Sequence, residues 1–211
     1  MKNEKKGLVL TTLICLLPVV VGALLYKKLP EELVTHWNFA GTPDGWSSRA
    51  FTVFAIPLLL TALHVVMFAA LRADPRRANI SPALRAIVKW TVPAVSVLVY
   101  AITYGNALGW PVDVATIAPL FMGAVFLAVG NYLPKTKQSR TVGIRLPWTL
   151  ASEENWTRTH RLAGFLWVLG GVVSIVVTLF RAWSAAAFFA ILLVMVAVPC
   201  LYSYLLHRKG I

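Results

Sequence analysis

The sequence predicts an all-α membrane protein, a six-transmembrane-helix bundle with both termini in the cytoplasm (N-in/C-in) and a short interfacial helix on the cytoplasmic side. Three observations predict this fold class. Hydrophobic residues make up 58% of the 211 positions and charged residues only 13%, about half the charged share of a soluble domain. The hydrophobic residues form long blocks. Most Lys and Arg residues lie in every second interval between these blocks.

Six blocks are long enough to cross a bilayer as helices, which takes about 20 residues for about 30 Å of hydrocarbon. Barrel strands would instead be short and alternate in polarity. The first block follows lysines but lacks a small-residue cleavage pattern, so we expect it to remain as an anchor. The predicted spans are 7–26, 51–71, 90–108, 114–133, 162–180 and 185–206. With their loops they predict one integral membrane domain over residues 1–211.

The distribution of basic residues predicts the orientation. If successive loops alternate sides, 16 of the 20 Lys and Arg residues fall with the two termini and segments 72–89 and 135–161. Cytoplasmic loops carry such an excess, so the termini are predicted to be cytoplasmic. Orientation and contact with anionic membrane lipids explain the net charge of +12, and we expect no direct binding of nucleic acid.

The predicted external loop, residues 27–50, is rich in aromatic and acidic residues. Its tetrapeptide 42–45 (TPDG) predicts a turn, since Pro favours the second turn position and Gly closes it. Two interpretations stay open. The loop is either a surface that meets an incoming peptide, or a compact cap on the helix bundle with Trp against lipid and Asp44 bonded to its own turn. His36 with Asp44 is a weak case for a metal site, so no metal is expected.

The long cytoplasmic loop, residues 134–161, contains a predicted helix start. Ser152 supplies a capping oxygen, and Glu153 and Glu154 follow at the positive end of the helix dipole. Glu154 and Arg158 are spaced to pair at i, i+4. These residues predict the short interfacial helix, which leads into the fifth span.

The same loop combines aromatic, Gly and Pro residues that orientation alone does not require. Trp156 and His160 fall on one face of the predicted helix. Segment 143–148 is predicted to be an ordered turn, because Pro147 disfavours helix at Leu146. The loop is either an interfacial anchor, with Trp at the headgroups and Arg on phosphates, or a surface for a partner.

Polar side chains inside the spans allow two interpretations each. His64 lies mid-span, one turn from Thr61, and is either functional or a neutral imidazole hydrogen-bonded to a neighbouring helix. Tyr100 and Tyr104, at i, i+4, either line an outward cavity or are interfacial aromatics.

Catalytic motifs are missing from the sequence: it contains no HExxH, GxSxG or P-loop pattern. All 8 Asp and Glu residues lie in predicted loops or tails, so the spans lack the paired carboxylates of a proton-coupled pump. We therefore expect no enzyme activity and no cofactor.

Two segments carry longer motifs. Segment 130–164 contains Gly130-Asn131, Gly143-Ile144-Arg145, Pro147-Trp148-Thr149-Leu150, Trp156 and Thr159-His160-Arg161. Segment 29–49 contains Leu29-Pro30, His36-Trp37-Asn38, Gly41 and Pro43-Asp44-Gly45. In this order, and with six spans, they resemble the SdpI family of immunity proteins against a secreted sporulation-delay toxin. The chain departs from the family pattern at residues 138–140, where an Asn is expected, and at Leu146, where a Thr is expected.

The resemblance implies a multi-pass protein of the bacterial cell membrane that binds a membrane-active peptide toxin at its outer face. It also implies a winged-helix repressor held at the cytoplasmic face. The expected toxin contacts are His36, Trp37, Asn38, Gly41, Pro43, Asp44, Gly45 and Trp46. The expected partner contacts are Asn131, Gly143, Arg145, Pro147, Trp148, Thr149, Trp156, His160 and Arg161.

Two other functional classes stay open on the sequence. One is a pure signal transducer, which anchors a repressor without protecting the cell. The other is a small transporter or membrane enzyme, in which His64 would relay protons.

Overall fold

The computed structural model describes residues 2–211, and six of its helices are long and apolar enough to cross a membrane. The prediction of an all-α protein with six helices able to span a membrane is thereby confirmed. The third such helix begins at Pro82 rather than 90, and the fifth at Glu153 rather than 162. An apolar block marks the part of a helix that suits hydrocarbon, whereas the hydrogen-bonded helix extends beyond it into polar sequence.

The chain contains seven α-helices and two strands within its described residues. In chain order they are α1 (Lys2–Leu25), β1 (Glu32–Trp37), β2 (Pro43–Ser48), α2 (Ile56–Ala73), α3 (Pro82–Ala107), α4 (Val114–Tyr132), α5 (Pro147–Ala151), α6 (Glu153–Leu179) and α7 (Ala185–Arg208). A π-helical turn, Phe51–Ala55, leads into α2. Short 3₁₀ turns occupy Arg77–Asn79 and Leu133–Lys135.

Two compact units divide the chain. Unit 1 comprises Met1–Ala69 and Val88–Val114, and unit 2 comprises Ala70–Ile87 and Ala115–Ile211. Unit 1 contains α1, both strands, most of α2 and the C-terminal part of α3. Unit 2 contains α4 to α7 with the loops that precede α3 and α5.

The core of unit 1 is a cluster of apolar and aromatic side chains. Leu29 and Leu33 from the β-hairpin region pack in it with Val53, Tyr100 and Tyr104. Leu33 is only 1% exposed, so β1 is held against the helices by a fully buried side chain. This packing fixes the base of the hairpin.

Tyr100 repairs a break in the backbone hydrogen bonds of unit 1. The N–H of Ile56 donates to Phe51 O in the π-helical turn. The next carbonyl, Thr52 O, would need a donor at position 57, but Pro57 has no N–H. The Tyr100 hydroxyl donates to Thr52 O instead, at 2.6 Å.

Tyr104 also donates to a backbone carbonyl, in α1. Its hydroxyl donates to Pro18 O at 2.9 Å. Tyr100 and Tyr104 are 3% and 5% exposed. The cavity interpretation of this pair is therefore wrong, because both rings are buried and their hydroxyls donate to backbone carbonyls within unit 1.

His64 is buried in unit 1 and hydrogen-bonded to another helix. Its Nε2 lies 2.8 Å from Thr11 Oγ1 of α1. Thr61, one turn away, donates instead to Pro57 O at 2.7 Å. His64 therefore has the contact that we expected of a structural residue, a hydrogen bond to another helix, and the partner is Thr11.

Paired glycines bring α4 and α6 together in unit 2. A Cβ on Gly130 would lie 3.0 Å from Gly164 O, and one on Gly123 would lie 3.0 Å from Gly171 O. The two pairs are antiparallel, with the same spacing along each helix. Such close backbone approach is the usual reason for small residues at helix contacts in membranes. This helix contact explains why segment 130–164 begins and ends with a glycine.

Candidate functional site

The predicted external loop folds as an antiparallel β-hairpin of β1 and β2. The turn joins residues 38–42, so the turn predicted at 42–45 was wrong. Pro43 is the first residue of β2 and pairs with Trp37. A proline is tolerated at the first residue of a strand, where its missing N–H disturbs the ladder least.

Asn38 determines where the turn closes. Its Oδ1 accepts hydrogen bonds from Ala40 N at 2.9 Å and Thr42 N at 3.0 Å. Gly41 adopts a φ of 77°, a conformation that side chains disfavour. These local bonds form the turn before the Pro43-Asp44 signal begins.

His36 and Asp44 form an exposed pair across the hairpin. His36 Nδ1 lies 2.5 Å from Asp44 Oδ1, and the two side chains are 71% and 43% exposed. Asp44 is thus bonded across the hairpin and not to its own turn. His36 also covers Gly45, where a Cβ would lie 2.9 Å from His36 Cβ. Within the described residues, no third metal-binding side chain joins the pair.

Two aromatic side chains of the hairpin region are exposed. Phe39 is 40% and Trp46 is 55% exposed, whereas Trp37 is half-buried. Trp46 pairs with Val34 and Leu33 with Ser47, so Trp46 lies on the face opposite the buried Leu33. The hairpin therefore has a buried face and an aromatic face.

Arg49 attaches the end of the hairpin to unit 1. Its Nη1 donates to Tyr26 O at 3.1 Å and to Leu29 O at 2.8 Å. Its guanidinium also lies 4.5 Å from the centre of the Tyr26 ring. Together with Leu33, these contacts hold the hairpin at its base while leaving its tip exposed.

Asp74, which follows α2, organises a loop in unit 2. We call residues 136–152, between the second 3₁₀ turn and α6, the motif loop. Asp74 Oδ2 accepts from Ser139 Oγ at 2.6 Å, Arg140 N at 2.9 Å, and Thr141 N and Oγ1 at 2.9 and 2.7 Å. Its Oδ1 accepts from Arg76 N at 2.8 Å. Four of these five hydrogen bonds join two segments far apart in sequence.

These hydrogen bonds keep Asp74 ionised. Burial raises the pKa of Asp74, but the bonds from Ser139, Thr141 and the backbone N–H groups of Arg76 and Arg140 outweigh it, and the pKa falls from 3.8 to about 2. Sequence reasoning missed this residue. Its signal was weak: Asp74 is the single acidic residue in the basic segment 72–89.

Gln138 forms a second link between the same segments. Its Nε2 donates to Thr149 O at 2.9 Å, and its Oε1 accepts from Arg76 Nη1 at 2.9 Å. Its backbone carbonyl accepts from Asn79 Nδ2 at 2.8 Å. Gln138 and Ser139 are buried at the position where the chain departs from the family pattern. The departure is therefore compatible with an ordered loop.

Trp156 and His160 lie under the motif loop. They are 1% and 0% exposed, and their rings stack with centres 3.9 Å apart. Trp156 Nε1 donates to Thr136 O at 2.6 Å. The Ile144 N–H donates to His160 Nε2, so His160 Nδ1 is the protonated nitrogen and donates to Trp156 O. Both nitrogens of a neutral imidazole are thereby used to shape the loop.

Gly143 is required by this arrangement for two reasons. Its φ is 113°, in the region that favours glycine. A Cβ there would lie 2.5 Å from His160 Nε2 and 2.8 Å from Trp156. Gly143, Trp156 and His160 of the family motif therefore form one packed cluster.

The turn before α5 has the predicted conformation. Leu146 is extended, with φ −95° and ψ 155°, and Pro147 begins the helix. The buried Thr149 hydroxyl accepts from Leu146 N at 2.9 Å and lies 2.8 Å from Ile144 O, to which it donates. Segment 143–148 is therefore an ordered turn, as predicted, and the hydrogen bonds of Thr149 stabilise it.

The predicted helix start is confirmed. Ser152 Oγ accepts from Asn155 N at 3.1 Å. Glu154 and Arg158 form an ion pair at 2.6 Å. The helix then continues without a break to Leu179, so the first turns of α6 and the fifth span are one helix.

Trp148 connects the motif loop to α7. Its Nε1 donates to Ser203 Oγ at 2.7 Å, and its ring stacks on His207 at 5.5 Å. The Ser203 hydroxyl in turn donates to the buried Asn155 at 2.8 Å. Asn155 was not among the predicted residues, because an Asn one turn into a helix has no distinctive pattern.

The structure separates the predicted partner contacts into two groups. Thr149, Trp156 and His160 are buried, and Gly143 and Trp148 are partly buried. The exposed members are Asn131 on α4, Arg145 and Pro147 in the motif loop, and Arg161 on α6. Asn131 and Arg161 lie outside the cluster around Gly143.

These features define a class: a multi-pass α-helical membrane protein with an ordered hairpin after its first span and an ordered loop before its fifth. Comparison with known proteins supports the resemblance to a family. Residues 135–203 match the SdpI/YfhL protein family, and residues 13–61 match a domain of unknown function, DUF1648. The resemblance to the SdpI family is thereby confirmed.

A named relative shows the same resemblance over more of the chain. The chain is 24% identical over 209 residues to the immunity protein SdpI of Bacillus subtilis (strain 168), covering 97% of each protein. No solved structure matches the chain.

Proposed function

We propose that this protein is a membrane immunity protein, which binds and neutralises a secreted, membrane-active peptide toxin without chemical modification. The relative named as an immunity protein supports this proposal over nearly the whole chain. The observation that carries the site is the hairpin itself. It presents exposed aromatic and charged side chains from a base that is held in place.

The hairpin has the properties of a binding surface. Phe39 and Trp46 supply large apolar contacts, and aromatic side chains dominate the energetics of most interfaces. The exposed pair of His36 and Asp44 supplies polar contacts beside them. Because Leu33 and Arg49 already order the base, binding would cost little conformational entropy.

Neutralisation then follows from competition for the toxin. A peptide bound to the aromatic face of the hairpin is withheld from free lipid, provided that its affinity for the hairpin exceeds that for the bilayer. Trp37, Asn38, Gly41, Pro43 and Gly45 support this surface, because they set the turn and the strand register.

A survival assay tests this proposal. Cells sensitive to the sporulation-delay toxin express the wild-type protein, Trp46→Ala, Asp44→Ala or Glu31→Gln, an exposed acidic control before the hairpin. We expect the wild type and Glu31→Gln to raise survival at least about tenfold, and both hairpin variants to lose most of that gain at equal membrane abundance. Equal survival with and without the wild-type protein would contradict the proposal.

We also propose that the motif loop binds a cytoplasmic winged-helix repressor when toxin is bound. The exposed Arg145, Pro147 and Arg161 would make the contacts. The buried Trp156 and His160 would hold the loop in shape, so substituting them tests folding and not recognition. Arg145→Gln should abolish toxin-dependent reporter output while leaving toxin capture intact; unchanged output would contradict this second role.

A further inference from the structure

An open pocket of about 450 Å³ in unit 2 is lined by Arg76, Arg140, Arg145 and Leu150. Arg76 comes from the loop that follows α2, and the other three come from the motif loop. Three guanidinium groups thus line one concave surface. The proposed repressor contact includes Arg145, but neither proposed role uses the three arginines together as a site.

The backbone that carries these arginines is fixed by Asp74. Its two oxygens accept from Arg76 N and Arg140 N, which sets the spacing of the two residues. Arg76 Nη1 donates to Gln138 Oε1 at 2.9 Å, and Arg145 Nη1 donates to Arg140 O at 2.6 Å. The guanidinium groups of Arg76 and Arg145 are therefore oriented before any ligand arrives. A guanidinium has five N–H donors, so each group keeps further donors for a ligand.

The positive charge of the pocket is not neutralised by a facing carboxylate. Asp74 accepts its hydrogen bonds from backbone N–H and hydroxyl groups, and no guanidinium is among the donors. The ion pairs His36–Asp44 and Glu154–Arg158 include none of the three arginines. Three arginines that line one pocket and, within the described residues, have no carboxylate partner for their guanidinium groups favour an anionic ligand.

Arginine in this arrangement suits a phosphate group. Guanidinium forks bind phosphate oxygens in a bidentate manner, and a tetrahedral phosphate offers enough oxygens for donors arriving from three sides. Arg76 also lies three residues beyond Ala73, where the apolar α2 span ends, and basic residues next to a span attract anionic lipid headgroups. Leu150 adds an apolar wall to the pocket.

We propose that the Arg76–Arg140–Arg145 pocket binds a phosphate group, carried either by an anionic phospholipid headgroup or by a small soluble molecule. Arg140 is the most direct reporter of this site. It lines the pocket and is exposed, and its guanidinium has no hydrogen bond among the described contacts of this loop. The proposal rests on no part of the immunity function.

The test uses the purified full-length protein in detergent and two probes. Inorganic phosphate is titrated by calorimetry, and short-chain phosphatidylglycerol is titrated beside the matched diacylglycerol, which lacks the phosphate. Arg140→Gln is compared with Arg158→Gln, which removes the same charge from α6 outside the pocket. Arg145→Lys keeps the charge but removes the guanidinium fork.

We expect the wild type to bind at least one phosphate probe and not diacylglycerol. Arg140→Gln should weaken binding at least about tenfold, Arg145→Lys about threefold or more, and Arg158→Gln less than about twofold. Binding of phosphatidylglycerol alone identifies a headgroup site, whereas binding of inorganic phosphate identifies a soluble ligand; both support the pocket.

Two results would overturn the proposal. One is that neither phosphate probe binds the wild type. The other is that Arg140→Gln and Arg158→Gln weaken binding equally, which would mean that the general positive charge of the surface is responsible. Melting temperatures of all variants show whether they remain folded. If Arg140→Gln does not fold, the comparison of Arg145→Lys with Arg158→Gln decides the outcome.

Discussion

The hairpin and the motif loop use polar residues in opposite ways. In the hairpin, His36 and Asp44 pair with each other eight positions apart and remain exposed. In the motif loop, Thr141 bonds to Asp74, which lies 67 positions earlier; Asp74 is buried and Thr141 is partly buried. The hairpin therefore offers side chains for contact, whereas most of the motif loop maintains its own shape. A sequence motif alone does not distinguish these two roles.

The largest effect should follow from removing the carboxylate that organises the motif loop. Asp74→Ala leaves the N–H groups of Arg76, Arg140 and Thr141 without their acceptor, and each buried unsatisfied group costs about 1–3 kcal/mol. We expect a loss of about 3–5 kcal/mol in the free energy of unfolding, measured by denaturant titration in detergent. Glu31→Gln, an exposed acid of unit 1, should change it by less than about 0.5 kcal/mol. Equal effects of the two substitutions would refute the claim that Asp74 organises the motif loop.

A smaller effect should come from Gly143→Ala. The new Cβ would meet His160 and Trp156 and would also occupy a positive φ. Gly109 is a matched control, since its φ is 79° but no atom lies within 4 Å of a Cβ there. We expect about 1 kcal/mol for Gly109→Ala from the backbone alone and at least about twice that for Gly143→Ala. Similar melting temperatures for both variants would show that His160 does not enforce this glycine.

The ionisation of Asp74 predicts that the free energy of unfolding falls in acid, by an amount similar to the effect of Gly143→Ala. Its pKa of about 2 is below the ordinary 3.8, so its contribution is complete above about pH 4 and is lost as the pH falls through 2. The shift corresponds to about 2 kcal/mol. The difference in unfolding free energy between wild type and Asp74→Asn should shrink by that amount from pH 5 to pH 2. A constant difference over this range would contradict the assigned pKa.

The smallest effect concerns the ion pair on the surface of α6. Arg158 and Glu154 are about half-exposed, and solvent screens such pairs strongly. Arg158→Gln should change the free energy of unfolding by less than about 0.5 kcal/mol, in the same denaturant titration. A loss above about 1 kcal/mol would show that this pair, too, belongs to the structural core of the loop.

Sequence signals that act locally predicted their features well. The six apolar blocks predicted the spans, and Ser152 with the following acids predicted the start of α6. The hairpin turn was misplaced because Asn38 closes it through its side chain before the stronger Pro43 signal begins. Here two local signals compete, and only the geometry of the strands decides between them.

Features that depend on distant contacts could not be predicted. Asp74 gains its role only when the motif loop folds against it, and Tyr100 only when its hydroxyl reaches the carbonyl left unpaired by Pro57. The phosphate pocket likewise combines Arg76 with residues more than sixty positions away. No spacing in the sequence marks these pairs.

Toxin binding to purified protein tests the division between contact surface and scaffold most directly. Wild type, Trp46→Ala and Arg145→Gln would be titrated with the sporulation-delay peptide in the same detergent, after their melting temperatures are shown to agree. The account predicts at least about tenfold weaker binding for Trp46→Ala and less than about twofold change for Arg145→Gln. Unchanged binding by Trp46→Ala, or a loss confined to Arg145→Gln, would contradict it.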